Sequence, residues 1–383
     1  MLENKIIITN KKETMKKLLI SLAALGCASA ASAQSSVTVF GVLDADISHY
    51  SQGGVSKTIE STSGNGPSSL GFRGTEDLGG GLSANFWMEA ALLNDTGAFA
   101  GSALFGRRST ISIAGNFGEV RLGRDAPPSW WNNVVFDAFG GAGPGSATNI
   151  TKGGGSNGFN GTNPLAFTRV NNAIQYIWGV APNGQTAFGN GIYGNLMYVF
   201  PENVSGTAAI GQYTGARLGY TNGPMNAAVS YAQSKGAPLP GAAGLSTTFK
   251  DFNLGGSYVV GVAKLTAHVG VNNSDVTRTK YTHWGVGASI FAGAGSIPVS
   301  YNSTKQNNAA GDGADQFAIG YVYNLSKRTV LYTAISHIRN KNNGTYTFLG
   351  GNGGGNPGLQ TAFGGGRSFG SGTGTDFGIR TTF

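Results

Sequence analysis

Apolar side chains recur at every second position through most of this chain, the signature of strands with two unlike faces. In the last segment Phe377, Ile379 and Phe383 share one parity, and Asp376, Gly378, Arg380 and Thr382 share the other. Further back, Phe317, Ile319, Tyr321 and Tyr323 alternate with Gln316, Ala318, Gly320 and Asn324. Trp284, Val286, Ala288 and Ile290 stand against His283, Gly285 and Ser289, and Phe252, Leu254, Tyr258 and Val260 against Asp251, Asn253 and Ser257. Met225, Ala227, Val229 and Tyr231 alternate with Asn226, Ala228, Ser230 and Ala232. Residues 328–341 alternate poorly, and pattern alone leaves open which face His337 and Arg339 occupy.

Soluble sandwiches alternate too, so further features must decide. The polar faces carry Gly, Ser, Asn and Thr rather than Lys and Glu. Aromatics repeat at strand ends, as in Trp178, Tyr198, Phe200, Tyr220 and Tyr281, which suits the interfacial girdles of a membrane barrel. The segments continue from end to end with no second domain boundary. Tight connections at 76–81, 115–118, 222–224, 292–295 and 324–327 take turns with longer polar loops near 51–65, 237–246, 306–313 and 342–373. This pattern predicts an all-β fold, a 16-stranded antiparallel transmembrane β-barrel. At ~22 residues per strand plus connection, the chain has room for strands of ~10 residues and unequal loops.

One connection stands apart. Asp125 to about Ala166 holds no convincing strand, and loops beyond about 12–15 residues are usually functional. Trp130, Trp131, Phe136 and Phe139 lie there beside a lone acid, Asp137. Aromatics in a long loop need burial, so these four are predicted to anchor the loop inside the barrel and narrow it. The 342–373 loop is mostly Gly and Asn and is expected to stay outside.

The N-terminus changes the domain picture. Met15-Lys16-Lys17, an apolar run from Leu18 to Ala30 and the small-residue site Ala31-Ser32-Ala33 form the three parts of a secretory signal. Residues 1–33 are therefore expected to be removed, with 1–14 an upstream extension from a start codon placed too early. The mature barrel domain is then 34–383, beginning at Gln34. The single cysteine, Cys27, falls inside the signal, so disulfides, thiolate nucleophiles and cysteine-bound metals are excluded from the mature chain.

Residues 1–33 hold five Lys and two acids, which leaves 21 basic against 16 acidic residues, a formal charge of +5. The basic residues are scattered singly apart from Arg107-Arg108 and Lys327-Arg328, so no nucleic-acid-binding face is expected. His49, His268, His283 and His337 show no metal-ligand spacing, and no Ser-His constellation for a barrel hydrolase is evident. The Gly-rich stretches lack the Gly-Lys-Ser/Thr ending of a phosphate loop. No cofactor and no metal are expected.

A pore needs charge on its inner face, and parity identifies candidates. Leu70 and Phe72 facing lipid put Arg73 in the lumen; Ile111 and Ile113 do the same for Arg108, Thr110 and Ser112. Val120 and Leu122 place Arg121 inside, Ile174, Tyr176 and Trp178 place Arg169, and Leu218 and Tyr220 place Arg217. Glu89 faces inward opposite Phe86 and Met88, while Arg107 takes the outward parity, near the rim. The alternative for any one of these arginines is a salt bridge bracing the wall.

Several blocks resemble the trimeric general porins of Gram-negative bacteria, in their betaproteobacterial branch. SSVTVFGVLDADI (35–47) is similar to that family's first strand, and LGFRGTEDLGGGLSANFWME (70–89) to its second and third. LFGRRSTISIAGNFGEVRLGRD (104–125) resembles the hairpin leading into the constriction loop, and FTRVNNAIQYIW (167–178) the strand leaving it. LSKRTVLYTAISHIRNKNN (325–343) and TDFGIRTTF (375–383) resemble the last two strands. Thr381, the double Trp and Ala126-Pro127-Pro128 depart from the family pattern and bear on substrate preference more than on fold.

The resemblance implies an outer-membrane homotrimer of 16-stranded barrels with an inward-folded third loop. It also implies passive diffusion of small hydrophilic solutes. Arg73, Arg108 and Arg169 fall where that family places its basic constriction cluster, with Glu89 and Asp137 facing or trimming it. With Arg121 and Arg217 they make a ladder for small anions. Phe383 resembles the terminal aromatic read by the outer-membrane assembly machinery, and outer-membrane lipid and lipopolysaccharide are the expected surroundings. A narrow substrate-specific channel, a barrel enzyme and an adhesin are the competing classes.

Overall fold

The computed structural model describes residues 36–101, 103–151, 168–181, 188–202, 210–236, 247–275, 278–348 and 370–383. The expected export signal, its cleavage site and residues 152–167 of the long loop lie outside them. The elements in chain order are β1 (Ser36–Gln52), β2 (Val55–Thr62), β3 (Ser69–Gly79), β4 (Leu82–Leu93), β5 (Ala98–Phe99), β6 (Arg108–Gly115) and β7 (Gly118–Asp125). Two helices follow, α1 (Pro128–Val135) and α2 (Thr148–Thr151). Then come β8 (Val170–Trp178), β9 (Gly191–Val199), β10 (Tyr213–Asn222), β11 (Met225–Gly236), β12 (Thr247–Val260) and β13 (Ala263–Ser274). The chain ends with β14 (Lys280–Ala292), β15 (Gly295–Gln306), β16 (Gly313–Asn324), β17 (Thr329–Lys341) and β18 (Gly372–Thr382).

Strand pairing is antiparallel throughout, and β1 closes the ring on β18 from Val42↔Thr382 to Gln52↔Gly372. β2 pairs with the upper half of β1 and β3 with the lower half, so these two form one wall strand broken at 63–68. β5 pairs only with the end of β4. The eighteen segments therefore make sixteen wall strands, as the sequence pattern predicts. Closure leaves no unpaired edge, the one β-architecture whose backbone can be satisfied inside a bilayer.

The burial pattern inverts that of a water-soluble protein. In β6, Arg108, Thr110, Ser112 and Ala114 are buried, and Ser109, Ile111 and Ile113 are exposed. Ile111, Ile192 and Phe377 are more than 60% exposed, while Gln316, Asn302 and Asn253 are almost fully buried. An apolar belt of this extent demands lipid as its solvent. Short turns gather at one end, among them Gly79-Gly80-Gly81, whose positive φ angles (82°, 61° and 81°) exclude most other residues. The long connections gather at the other end, the outward-facing end of an outer-membrane barrel. Residues 179–190 are the exception, a longer connection on the turn side.

β17 settles the segment that pattern left open. Val330, Tyr332, Ser336 and Ile338 are buried toward the lumen, so His337 and Arg339 point outward. Alternation fails to show there because the inner face of β17 is apolar: Ile338 packs with Tyr50, Ile150 and Phe348. The 342–373 loop also departs from expectation at its start. Tyr346, Thr347 and Phe348 turn inward and are buried, with Phe348 5.4 Å from the Tyr50 ring. Two aromatics outweigh the Gly/Asn character of that stretch; residues 349–369 lie outside those described.

Candidate functional site

The long loop enters the barrel. Pro128 stands at the first position of α1, where its missing N–H costs nothing. The helix then lies on the inner wall formed by β9–β12. Asn132 donates to the Ala228 carbonyl at 3.1 Å, and Asn253 to the Ser129 carbonyl at 3.1 Å. Phe136 seats on Gly255, where any Cβ would come within 2.2 Å of its ring, so glycine is required there. Farther on, Ala138 lies over Gly287 and Phe139 over Gly320. Gln316 donates to the Pro144 carbonyl at 2.8 Å, and α2 packs Ile150 against the inner side of β14–β16. The loop thus papers the wall from β9 round to β18 and β1, and leaves the inner face of β3–β7 uncovered by its described part.

Of the four predicted anchors, Trp130 and Phe136 are buried and Trp131 and Phe139 half-buried. Asp137 does not face the arginine wall as expected. Its carboxylate accepts from the amides of Phe139 (3.1 Å), Gly141 (2.9 Å) and Ala147 (3.0 Å) and ties the loop to itself. Burial outweighs these three donors and pushes the Asp137 carboxyl up to about 6. A lone acid in a loop reads equally well as a pore charge or as a turn brace, and only the fold distinguishes them.

The facing wall carries the arginines. Arg73, Trp87 and Thr110 lie directly across from one another on β3, β4 and β6, and Glu89 lies across from Arg108. The Trp87 ring is contacted by two guanidiniums, Arg73 at 5.2 Å and Arg108 at 4.5 Å, and the Phe40 ring, packed edge-on to Trp87 at 4.7 Å, also lies 5.2 Å from Arg73. Stacking on aromatic faces fixes a guanidinium without neutralising it. Arg73 is exposed, and among the described residues no carboxylate is paired with it.

The other arginines are held by polar partners. Arg108 donates to Thr110 Oγ1 at 2.9 Å and lies 3.7 Å from Asp125. Arg121 is clamped between Glu119 (2.9 Å) and Asp125 (2.8 Å), and all three are buried. Arg169 donates to the backbone carbonyls of Arg107 and Thr168. Arg217, on β10 three wall strands beyond β7, donates to Asn132 Oδ1 of α1 at 2.6 Å. It stacks over Phe188 and Tyr193 at 5.1 and 5.0 Å. Arg121 and Arg217 therefore brace the wall and the loop.

Three members of this cluster lie outside the predicted set. Arg107 turns inward and ion-pairs with Glu89, which also accepts from Trp87 Nε1 at 3.0 Å. Arg107 precedes β6, where strand alternation has not begun, so the outward assignment fails. Asp125 closes β7 past a register shift at Gly123/Asp125 and joins Arg108 to Arg121. Glu119 shares the inward parity of Arg121 and was legible on that ground. Six arginines (73, 107, 108, 121, 169, 217) face three carboxylates (89, 119, 125), a local excess of three positive charges.

A second set of acids is kept out of the way. Asp44, Asp46 and Asp376 are buried on β1 and β18. Asp44 accepts from the amides of Asn65 and Gly66 and from the Tyr332 hydroxyl. Asp376 lies behind Gly143 of the long loop. Their burial withholds three negative charges from the open lumen.

A family model described as Gram-negative porin matches residues 19–343. Outer membrane porin protein 32 of Delftia acidovorans is 39% identical over 342 residues, spanning 86% of this chain and 92% of that protein. An outer membrane porin of Bordetella pertussis is 28% identical over 396 residues, spanning 85% and 95% respectively. Among solved structures, an anion-selective porin from Comamonas acidovorans superposes with a TM-score of 0.73. It is 36% identical and covers 91% of this chain and all of that one.

Proposed function

The chain belongs to the Gram-negative porin family of the outer membrane, and on that premise we propose that it is a passive, anion-preferring diffusion channel for small hydrophilic solutes, assembled as a homotrimer. The observation that carries the preference is the arginine wall left bare opposite the infolded loop. Arg73 and Arg169 lack a paired carboxylate among the described residues, and Arg108 shares Asp125 with Arg121. The anion-selective relative from Comamonas acidovorans supports the same reading.

Anions are favoured without being trapped. A single Arg about 4 Å from an anion contributes only ~1 kcal/mol at the dielectric of water, more beside a low-dielectric wall. Conduction needs binding weak enough for release, and charges spread along a wall meet that need better than one tight site. Arg108, Arg121 and Arg217 act less as contact points than as fixed charge set into the wall. Phe383 serves assembly: its ring covers Gly41 on the outer surface, and its backbone exchanges two 3.1 Å hydrogen bonds with Gly41. Reversal potentials across a KCl gradient in planar bilayers test the proposal. A chloride-selective wild-type channel is expected, and a cation-selective one at low salt refutes it.

A further inference from the structure

The connection from β8 to β9 breaks the alternation that governs the wall on either side of it. Its described ends are residues 179–181 and 188–190. By parity Val180 would follow Tyr176 and Trp178 outward, and Phe188 would face out with Ile192. Neither does. Gly179 takes a φ of 67° and Gly191 a φ of 107°, so the two-residue rule lapses at both strand ends. Val180 and Phe188 pair as an isolated bridge, closed by the Gly189 amide donating to the Gly179 carbonyl at 3.2 Å. The bridge folds back tightly on β9: a Cβ at position 179 would collide with the Ile192 carbonyl and the Tyr193 backbone.

The two side chains end up inside the barrel. Phe188 stacks on the buried Tyr193 ring at 4.2 Å, with 25° between the planes. Val180 and Phe188 pack against the cluster of Phe136, Tyr193 and Ala228, beside Val135 at the end of α1. The Arg217 guanidinium rests on the same ring pair, 5.1 Å from Phe188 and 5.0 Å from Tyr193. It also donates to the Tyr193 hydroxyl at 3.3 Å and to Asn132 Oδ1 at 2.6 Å. These holders are all neutral, and among the described residues Arg217 is in no ion pair. Its charge is therefore undiminished, and neutral contacts decide where that charge sits. Asn132 comes from the long loop and Tyr193 from the wall; Phe188 comes from the turn-side connection.

We propose that Phe188 is a positioning residue of the channel, carried into the lumen from the turn end to hold Arg217 and the end of α1. The long loop enters from one end of the barrel and Phe188 from the other, and the two meet at Arg217, so the constriction is set from both ends. An aromatic ring suits this task. It fixes a guanidinium without supplying a counter-charge, whereas a carboxylate in its place would hold the group and cancel it. The inference rests on the anion-channel reading above, in which fixed charge on the inner wall biases permeation.

Reversal potentials of the full-length protein in planar bilayers, under a KCl gradient near about 0.1 M, test this. Phe188→Leu keeps apolar bulk and removes the ring. A guanidinium that withdraws from about 6 Å to about 9 Å from a passing ion should lower the chloride-to-potassium ratio about twofold. Phe188→Tyr, which keeps the ring, should retain the wild-type ratio. With Arg217→Met already present, Phe188→Leu should change the ratio by less than about 1.2-fold, because the charge it positions is gone. A Phe188 that merely props up its own connection would give the same drop with and without Arg217, and that result overturns the proposal. A wild-type ratio in Phe188→Leu overturns it too. If Phe188→Leu yields no heat-modifiable trimer, Phe188→Met, whose flexible chain fills the space without a ring, is read in its place against the same outcomes. A cation-selective wild type would instead refute the channel reading, so the two failures are told apart.

Discussion

Arg73→Gln isolates one charge of the arginine wall, because Gln keeps a long polar side chain against Phe40 and Trp87 and removes only the charge. The guanidinium it replaces is exposed and lies over the Phe40–Trp87 ring pair, 5.2 Å from each ring. For an ion passing about 6 Å away, the Coulomb energy is ~0.7 kcal/mol at the dielectric of water. Screening over a Debye length of about 10 Å at 0.1 M salt leaves ~0.4 kcal/mol, and over about 3 Å at 1 M less than ~0.1 kcal/mol. An anion gains this energy and a cation loses it, so the permeability ratio carries it twice. The substitution should therefore lower the chloride-to-potassium ratio about fourfold at 0.1 M and about 1.4-fold at 1 M. Fourfold is a floor, since a low-dielectric wall strengthens the interaction. The control is Arg121→Met with Glu119→Gln, which removes a neutral buried pair and should move the ratio by less than about 1.5-fold at either salt. Reversal potentials of single channels under a KCl gradient read both. The reasoning fails if the neutral-pair variant shifts selectivity as much as Arg73→Gln does, or if the Arg73→Gln effect persists undiminished at 1 M.

Other outcomes follow from the same geometry. Deleting the central part of the 126–166 loop should raise single-channel conductance while heat-modifiable trimers still form; unchanged conductance would place the loop outside the current path. Arg217→Met should free α1 by removing the bond to Asn132, costing about 1–2 kcal/mol and increasing current noise, and should lower the chloride-to-potassium ratio because a fixed positive charge leaves the wall. Asp137 supplies a pH test. Its folded pKa is raised, so the stability it gives the docked loop is present below about 4 and lost as pH rises through about 6. Conductance fluctuations should grow between those values in wild type and lose that dependence in Asp137→Asn. Phe383→Ala should reduce the yield of membrane-inserted trimer on unheated gels, and wild-type yield would remove the terminal residue from assembly.

Much of this was legible before any coordinates, because strand alternation in a barrel is a local rule. A side chain's face follows from its neighbours two positions away, so the strand count and the inward parity of Arg73, Arg108, Arg121 and Arg217 needed no long-range information. The long loop announced itself by length and by Trp130 and Phe136. Tertiary structure decided what those charges do. Arg121 and Arg217 are neutralised or pinned by partners from other segments, Glu119, Asp125 and Asn132, and parity cannot reveal a partner. Arg107 and Asp137 lie where the chain is not a strand, so the two-residue rule has no hold on them. The inward turn at Tyr346 and Phe348 depends on a hydrophobic pocket built by Tyr50 and Ile150, nearly three hundred and about two hundred residues away along the chain. Local pattern fixes the face a residue occupies; only closure of the barrel brings together the groups that set its charge, its solvent and its neighbours.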